Sequence, residues 1–590
     1  MIILGVWDGT PSSAALIVNG KILIAVSEER LSRSKNAYGY PEKSIDYIFS
    51  KTGYKKKDID EIAMTTASLS PTYFYTSRNA NFEIKDYWRE QKEYWYKKYY
   101  ENEDPKYLEI FKEKIDFENF PYDQDLIKDE KDTEGMWKAR KKHLANKLGI
   151  DEQKISLHDH HTCHACYGYL MSPYRNKDSL IFTMDGNGDN TNGTISYAKA
   201  GEELEFISRS SNFNLGRIYR YATLMLGMRP ADHEYKVMGL AAYNSEKYGK
   251  EAYEIYKNTL QVDGLKFKYK NKIKDHFFYF KDKLEGQRFD AIAYGVQRFA
   301  EEILTTWIKN GITHSKIKNI IMSGGVAQNI KANKCISELS DIEQLFVPPG
   351  PGDESLCIGA AWLQFLKKGG SVKDIPFQTN AYFGPSFETD EIELEINKLD
   401  LEEFDIKKVA YADVAKLLAK GEVVARFDQD AMEFGARALG NRSILADPRK
   451  QETINYINKL VKMRDFWMPF APSILEERQN DYIINPKNID ARYMAIGFDS
   501  TLLAKNELSA GLHPFDKTMR PQIVNSKDNF SYHSLIKEFE KLTGVGALLN
   551  TSFNIHGEPI VGTPFDAIDT LKRCGLKHLF IGDFLISKKS

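Results

Sequence analysis

Ile2-Ile3-Leu4-Gly5-Val6-Trp7-Asp8-Gly9, then Ala14 to Val18, Asn19-Gly20 and Ile22 to Val26, is the stretch on which the reading of the fold turns. Each apolar, β-branched run has strand length, and Asn-Gly between two of them is a two-residue hairpin signal, because both turn positions then take positive φ. The pattern returns: Leu180 to Met184 leads into Asp185-Gly186-Asn187-Gly188-Asp189, followed by Gly193 to Ala198 and Leu204 to Ser208. One unit of strand, acidic glycine loop and hairpin used twice predicts an α/β domain built by duplication. Each loop would turn backbone N–H groups and a carboxylate toward phosphates and a cation.

Duplication of this kind is the plan of the actin-like and sugar-kinase ATPases, and working outward from it divides the chain. At 590 residues the chain is too long for one core. The duplicated domain is expected over 1–375, with residues 71–150, dense in Tyr, Lys and Glu and poor in Gly, as a helical insert. Within it, Asp290 reads as the cap of an amphipathic helix carrying Ile292, Val296, Phe299, Ile303 and Trp307. Lys367-Lys368-Gly369-Gly370 and Pro376 break the pattern, and Val423 to Phe427 opens an α+β domain expected over 405–590. With 81 Lys+Arg against 83 Asp+Glu the formal charge is −2, so no global field favours nucleic acid or an anionic membrane. No basic leader precedes the first apolar run, and no stretch approaches the roughly 18 apolar residues of a membrane span. Five cysteines are too few and scattered for a disulfide framework. A cytoplasmic chain is expected, with no membrane and no nucleic acid as partner.

The densest cluster of chemistry is His158-Asp159-His160-His161-Thr162-Cys163-His164-Ala165-Cys166. On a helix His160 and His164 stand one above the other, the spacing that lets two imidazoles share a metal. Cys163 and Cys166 offer a rival thiol pair, although without further thiol ligands core packing suits them better. Oxygen ligands could come from Asp185 and from Asp353, which closes Pro348-Pro349-Gly350-Pro351-Gly352-Asp353 at the start of a helix. Ser323-Gly324-Gly325-Val326-Ala327-Gln328-Asn329 follows a strand and reads as a phosphate or ribose cradle, since only glycine allows so close a backbone approach. Further on, Glu433-Phe434-Gly435-Ala436-Arg437 through Ser443, with Lys462, Arg464, Arg520 and Asn550-Thr551-Ser552-Phe553-Asn554 after a strand, supplies forked and point cations with amides and hydroxyls for an anion pocket.

In this order, and with Ser27-Glu28-Glu29-Arg30, Arg33, Lys35, His233-Glu234-Tyr235-Lys236-Val237-Met238-Gly239-Leu240-Ala241 and Arg520-Pro521-Gln522, these motifs cover nearly the whole chain. Together they resemble the O-carbamoyltransferase family that includes nodulation-factor and antibiotic-tailoring enzymes. The resemblance implies an actin-like ATPase domain, similar to the tRNA threonylcarbamoyl-transfer enzyme, followed by a YrdC-like domain. It implies that His160, His164, Asp185 and Asp353 bind Fe2+, or Mg2+ or Mn2+ in its place. ATP would be held by Lys236, Ser323, Gly324, Gly325, Asn329, Gly352 and Asp353, and carbamoyl phosphate by Arg437, Lys462, Arg464, Arg520, Asn550 and Ser552. The carbamoyl group would then pass through a carbamoyl-adenylate to a hydroxyl of a small metabolite or sugar, in a chain that could pair as a homodimer. The acceptor is expected to touch the loops and the 71–150 insert.

The chain departs from the family pattern where Thr10-Pro11 replaces a His-Asp pair, where Asp430-Ala431 replaces Gly-Arg, and at Ala436 and Met468. Loss of that histidine leaves the base of the transfer step open among His233, His143 or none, with Asp8 and Lys236 the other catalytic candidates. Two other readings share the domain types: a fused tRNA-type carbamoyl-transfer enzyme, and a non-catalytic actin-like nucleotide-binding scaffold.

Overall fold

The computed structural model describes residues 1–117, 120–463 and 465–589. It divides into two units, Met1–Glu29 with Asn36–Gln378, and Arg30–Lys35 with Thr379–Ser590.

In the first unit, β1 (Ile2–Trp7), β2 (Ser13–Val18), β3 (Lys21–Ser27), β4 (Glu61–Thr65) and β5 (Ile155–His158) form a sheet in the order β3-β2-β1-β4-β5. A second sheet joins β6 (Ser179–Gly188), β7 (Thr191–Ala198) and β8 (Glu205–Ser210); β9 (Leu260–Asp263) and β10 (Lys266–Tyr269) pair apart from it; β11 (Asn319–Ser323) and β12 (Gln344–Phe346) complete the order β12-β11-β6-β7-β8. Both sheets are an antiparallel meander extended by parallel strands beside its first member. The expected duplication is therefore present. Asn19 and Gly20 turn β2 into β3 at φ 48° and 80°, the pair of positive values that the hairpin demands.

Two features aim the loops. The β6–β7 register breaks between Met184 and Gly188, so Asp185 is lifted out of the ladder, as bulges near functional sites do. The helix Leu356–Lys367 packs on β1 and on the helix His160–Met171 so tightly that a Cβ on Gly5 would lie 1.9 Å from the Cys357 carbonyl oxygen, and one on Gly359 2.2 Å from that of Cys163. Leu356, Ile358 and Trp362 are buried there, each stabilising the packing by about 1.5–3 kcal/mol. The helix expected near Asp290 spans Phe289–Ser315, but Arg288 precedes it; Asp290 sits in its first turn, 3.0 Å from Arg288, and does not cap. A carboxylate at that place still complements the helix dipole.

The insert carries helices Pro71–Thr76, Arg78–Asn81, Ile84–Arg89 and Thr133–Leu148 and a π-helical run Glu90–Glu101. Phe82, Tyr87, Tyr94, Tyr107 and Phe111 make one aromatic core in it, and Phe74, Tyr122, Met136 and Ala139 another.

The second unit is built on β13 (Phe404–Lys408), β14 (Val424–Phe427), β15 (Arg442–Ala446), β16 (Ala471–Leu475), β17 (Ile483–Ile484), β18 (Asp499–Ser500), β19 (Gln522–Val524), β20 (Ala547–Ser552), β21 (His578–Ile581) and β22 (Phe584–Lys588). A mixed sheet of order β13-β22-β21-β14-β15-β20-β16-β19 packs Phe427, Ile444, Leu549 and Leu579 against Ile568 and Leu571 of the helix Pro564–Arg573. Asn550, Thr551 and Ser552 lie inside β20 and not after it, paired to β15 and β16. Among the described residues no helix is long and apolar enough to cross a membrane.

Candidate functional site

Asp159 caps the helix His160–Met171 by accepting the Thr162 N–H at 2.8 Å, which makes His160 its first residue and puts His164 one turn on. The two rings meet edge to face, 4.8 Å apart between centroids and 75° between planes. Asp185 comes from the β6 bulge and Asp353 from the turn before the helix Leu356–Lys367. His164 Nε2 lies 3.2 Å from Asp185 Oδ2 and 3.3 Å from Asp353 Oδ1; His160 Nε2 lies 3.6 and 3.7 Å from the same atoms. Ligand-type atoms of all four residues fall within 4.8 Å of one another.

Both histidines are buried, and both Nε2 atoms are without a hydrogen-bond partner. Burial works to lower the His164 pKa, but Asp185 and Asp353 outweigh it and push it up to about 9. Burial likewise works to raise the Asp185 carboxyl, yet His160 and His164 hold it well below the ordinary carboxylate range, while burial and the neighbouring Asp185 raise Asp353. Two orphaned imidazole nitrogens facing two crowded carboxylates form a donor set that suits a divalent cation accepting both nitrogen and oxygen.

The other residues of the cluster turn away. His161 lies 2.7 Å from Thr183 Oγ1 and 3.0 Å from the Thr191 carbonyl, and burial lowers its pKa to about 3. His158 bonds Gln364 at 3.1 Å. Cys163 and Cys166 are buried free thiols, raised by desolvation, in keeping with core packing.

The glycine cradle abuts this cluster. Gly324, at φ 95°, donates its N–H to the Pro351 carbonyl at 2.7 Å, and Gly325 donates to Asp185 Oδ2 at 3.4 Å. Ser323 Oγ lies 3.4 Å from Pro351 O, and a Cβ on Gly352 would come within 2.6 Å of Glu354 Oε2. Asn329 caps the helix Ile330–Ser337 and exchanges bonds with Gln297. Lys236 is buried in the helix Glu234–Ala241, which His233 precedes; His233 Nδ1 accepts the Arg229 N–H at 3.1 Å.

Asp8 is fully committed. Arg140 Nε and Nη2 donate to its oxygens at 2.9 and 2.6 Å, and the Tyr122 hydroxyl donates at 3.2 Å. Arg140 and Tyr122 belong to the insert, and nothing in the run Trp137-Lys138-Ala139-Arg140-Lys141-Lys142 singles out Arg140 among its basic neighbours.

In the second unit Lys462 is buried with Nζ 3.1 Å from Ser552 Oγ and 2.6 Å from Asn554 Oδ1. Arg437 lies half-buried on a loop tied down at both ends. Glu433 Oε1 accepts the N–H groups of Leu439 and Arg442, Asn550 Nδ2 donates to the Ala438 carbonyl at 3.1 Å, and Gln522 Nε2 donates to the Leu439 carbonyl at 2.6 Å. Arg520 is half-buried two residues before Gln522. Arg464 lies outside the described residues.

The chain matches the family model of the carbamoyltransferase N-terminus over residues 3–362 and that of the carbamoyltransferase C-terminus over 415–588. It is 32% identical over 601 residues to an uncharacterized protein of Methanocaldococcus jannaschii, covering 100% of both chains. It is 30% identical over 594 residues to nodulation protein NolNO of Sinorhizobium fredii, covering 98% of this chain and 79% of that one. Among solved structures, the match to component A of the Acidaminococcus fermentans (R)-2-hydroxyglutaryl-CoA dehydratase covers 64% of this chain and 99% of that one at 12% identity and a TM-score of 0.30. With both halves matched in order, the chain belongs to the carbamoyltransferase family and is a carbamoyltransferase.

Proposed function

We propose that the chain is an ATP-dependent O-carbamoyltransferase that makes carbamoyl-adenylate from carbamoyl phosphate and ATP and passes the carbamoyl group to a hydroxyl of a small metabolite or sugar. The observation that supports it most is the convergence of His160, His164, Asp185 and Asp353 beside the Ser323-Gly324-Gly325 cradle. These four residues would hold the cation. Fe2+ suits two imidazoles better than Mg2+ does, with Mn2+ between them. Bound there, the cation would neutralise charge on the nucleotide phosphates.

In the second unit Arg437, Lys462, Arg464, Arg520, Asn550 and Ser552 grip carbamoyl phosphate. Hydrolytic loss of phosphate leaves carbamate, whose oxygen attacks the α-phosphorus of ATP and expels pyrophosphate. The adenylate then moves to the first unit, where Lys236, Ser323, Gly324, Gly325, Asn329 and Gly352 hold its nucleotide, Asn329 by shaping the helix start behind the cradle. The acceptor oxygen attacks the carbamoyl carbon, AMP leaves with the carbamate oxygen, and the acceptor proton passes to a base. His233 is taken as that base, because the oxygens of Asp8 are already engaged by Arg140 and Tyr122.

The test is pyrophosphate release on incubation with carbamoyl phosphate, ATP and ferrous iron. Release that disappears in His164→Ala supports the reading; none from the iron-loaded native chain ends it. Tight, salt-sensitive retention on tRNA would move the acceptor to nucleic acid.

A further inference from the structure

His160 is held from behind by a strained residue. Thr66, one residue past β4, has φ 63°, a left-handed backbone that a β-branched side chain rarely adopts. Its N–H donates to the His158 carbonyl at 3.2 Å, its carbonyl accepts from Arg140 Nη1 at 2.7 Å, and its Oγ1 lies 2.9 Å from His160 Nδ1. For Nε2 of His160 to present a lone pair to a cation, the ring proton must sit on Nδ1, and Thr66 Oγ1 is placed to accept it.

The rest of the ring's surroundings are equally fixed. Gly188 leaves room for the imidazole, since a Cβ there would fall 2.2 Å from it. Asp189 Oδ2 accepts the His160 N–H at 3.1 Å while Oδ1 accepts those of Ala67 and Ser68 at 2.9 and 3.0 Å, stapling the chain after Thr66 to the helix start. Arg140, 1% exposed, links the insert to this assembly: besides Thr66 O it bonds Thr65 O at 3.1 Å and both oxygens of Asp8, which also accepts from Tyr122.

We infer that Thr66 is a positioning residue for His160, fixing its tautomer and ring angle, and that Arg140 from the 71–150 insert keeps Thr66 in the shape this requires. The insert thereby sets the geometry of the cation site through the series Tyr122, Asp8, Arg140, Thr66, His160. This rests on the reading of His160, His164, Asp185 and Asp353 as cation ligands. Partners behind a metal-bound histidine are worth about 10–100-fold in metal affinity.

The experiment titrates the full chain with Co2+ alone, following the visible spectrum, for the native protein, Thr66→Ser, Thr66→Val, Thr66→Gly, Arg140→Lys and His164→Ala. Thr66→Gly takes the left-handed backbone without strain, so it should fold at least as well as the native chain. It should nevertheless bind Co2+ about tenfold or more weaker with an altered spectrum, as should Thr66→Val, whereas Thr66→Ser keeps native affinity within about threefold. Arg140→Lys should fall between them. Native affinity and spectrum in folded Thr66→Gly would overturn the inference and leave the cation site standing. Failure of the native chain to bind Co2+ any better than His164→Ala would remove the cation site, and the inference with it.

Discussion

Arg30 and Gly435 are 405 residues apart in sequence and joined in the second unit, where Arg30 Nη2 donates to the Gly435 carbonyl at 2.9 Å. Gly562 fits against the same segment, since a Cβ there would lie 2.1 Å from the Arg30 carbonyl oxygen. Arg33 adds bonds to the carbonyls of Ile560 and Pro559 at 2.7 and 2.9 Å. A six-residue strap, Arg30–Lys35, thus braces the loop that carries Arg437.

Arg30→Ala should leave the Gly435 carbonyl without this donor, at about 1–3 kcal/mol if no water replaces it. The expected outcome is a lower thermal midpoint together with a roughly tenfold higher carbamoyl phosphate requirement, read from steady-state kinetics at saturating ATP. An unchanged requirement would show that the strap does not shape the anion loop.

Lys462 should act more directly. Its Nζ is already directed by Ser552 and Asn554, so replacing it by Met keeps the stem and removes a charge-assisted bond worth about 1.5–3 kcal/mol. Adenylate formation should fall by about ten- to a hundredfold while nucleotide binding, followed by calorimetry, stays as in the native chain. Ser552→Ala should cost less than Lys462→Met, because Asn554 still holds the ammonium.

The Asp8–Arg140 pair offers a stability test. Both side chains are withdrawn from water, so Asp8→Asn or Arg140→Met should each cost about 3–5 kcal/mol in denaturant unfolding, by leaving an unpaired buried charge or donor. Replacing both with apolar residues should cost less than the sum of the single changes. If Asp8→Asn instead abolishes transfer with stability intact, Asp8 is the base after all.

How much of this was legible in the sequence depends on the distance between partners. The duplicated sheets could be read because Asn19-Gly20 and the acidic loops are local signals, and His160 and His164 because a helix turn fixes their relation. Asp290 misled because an acidic residue favours the first helical turn as well as the cap. What the sequence does not show of Asn329 is its second task, capping the helix Ile330–Ser337 that follows the glycine-containing segment. Arg140, Tyr122 and Thr66 carried no signal, since Asp8 and Arg140 meet across 132 positions and no periodicity links them. The left-handed backbone of Thr66 is imposed by its tertiary partners, not by any preference of threonine.

His276 gives a pH dependence. Burial lowers its pKa to about 4, so the folded chain holds it neutral where the unfolded chain, near 6.5, takes up a proton. More protons on the unfolded state means that stability rises with pH between about 4 and 6.5 and is level above. His276→Gln should remove roughly 1 kcal/mol per pH unit from that acid slope, measured by unfolding at pH 4.5, 5.5 and 7. An unchanged slope would show that His276 does not titrate out of the fold.

The carbamoyl-adenylate is the central intermediate of the proposed reaction, and an isotope reports on it directly. Carbamoyl phosphate labelled with oxygen-18 at its carbonyl, supplied with ATP, ferrous iron and a hydroxyl acceptor, should yield AMP of which part carries the heavy oxygen, because AMP leaves with an oxygen of the carbamate. AMP formed without the label, or carbamoylated product formed with no AMP at all, would contradict it.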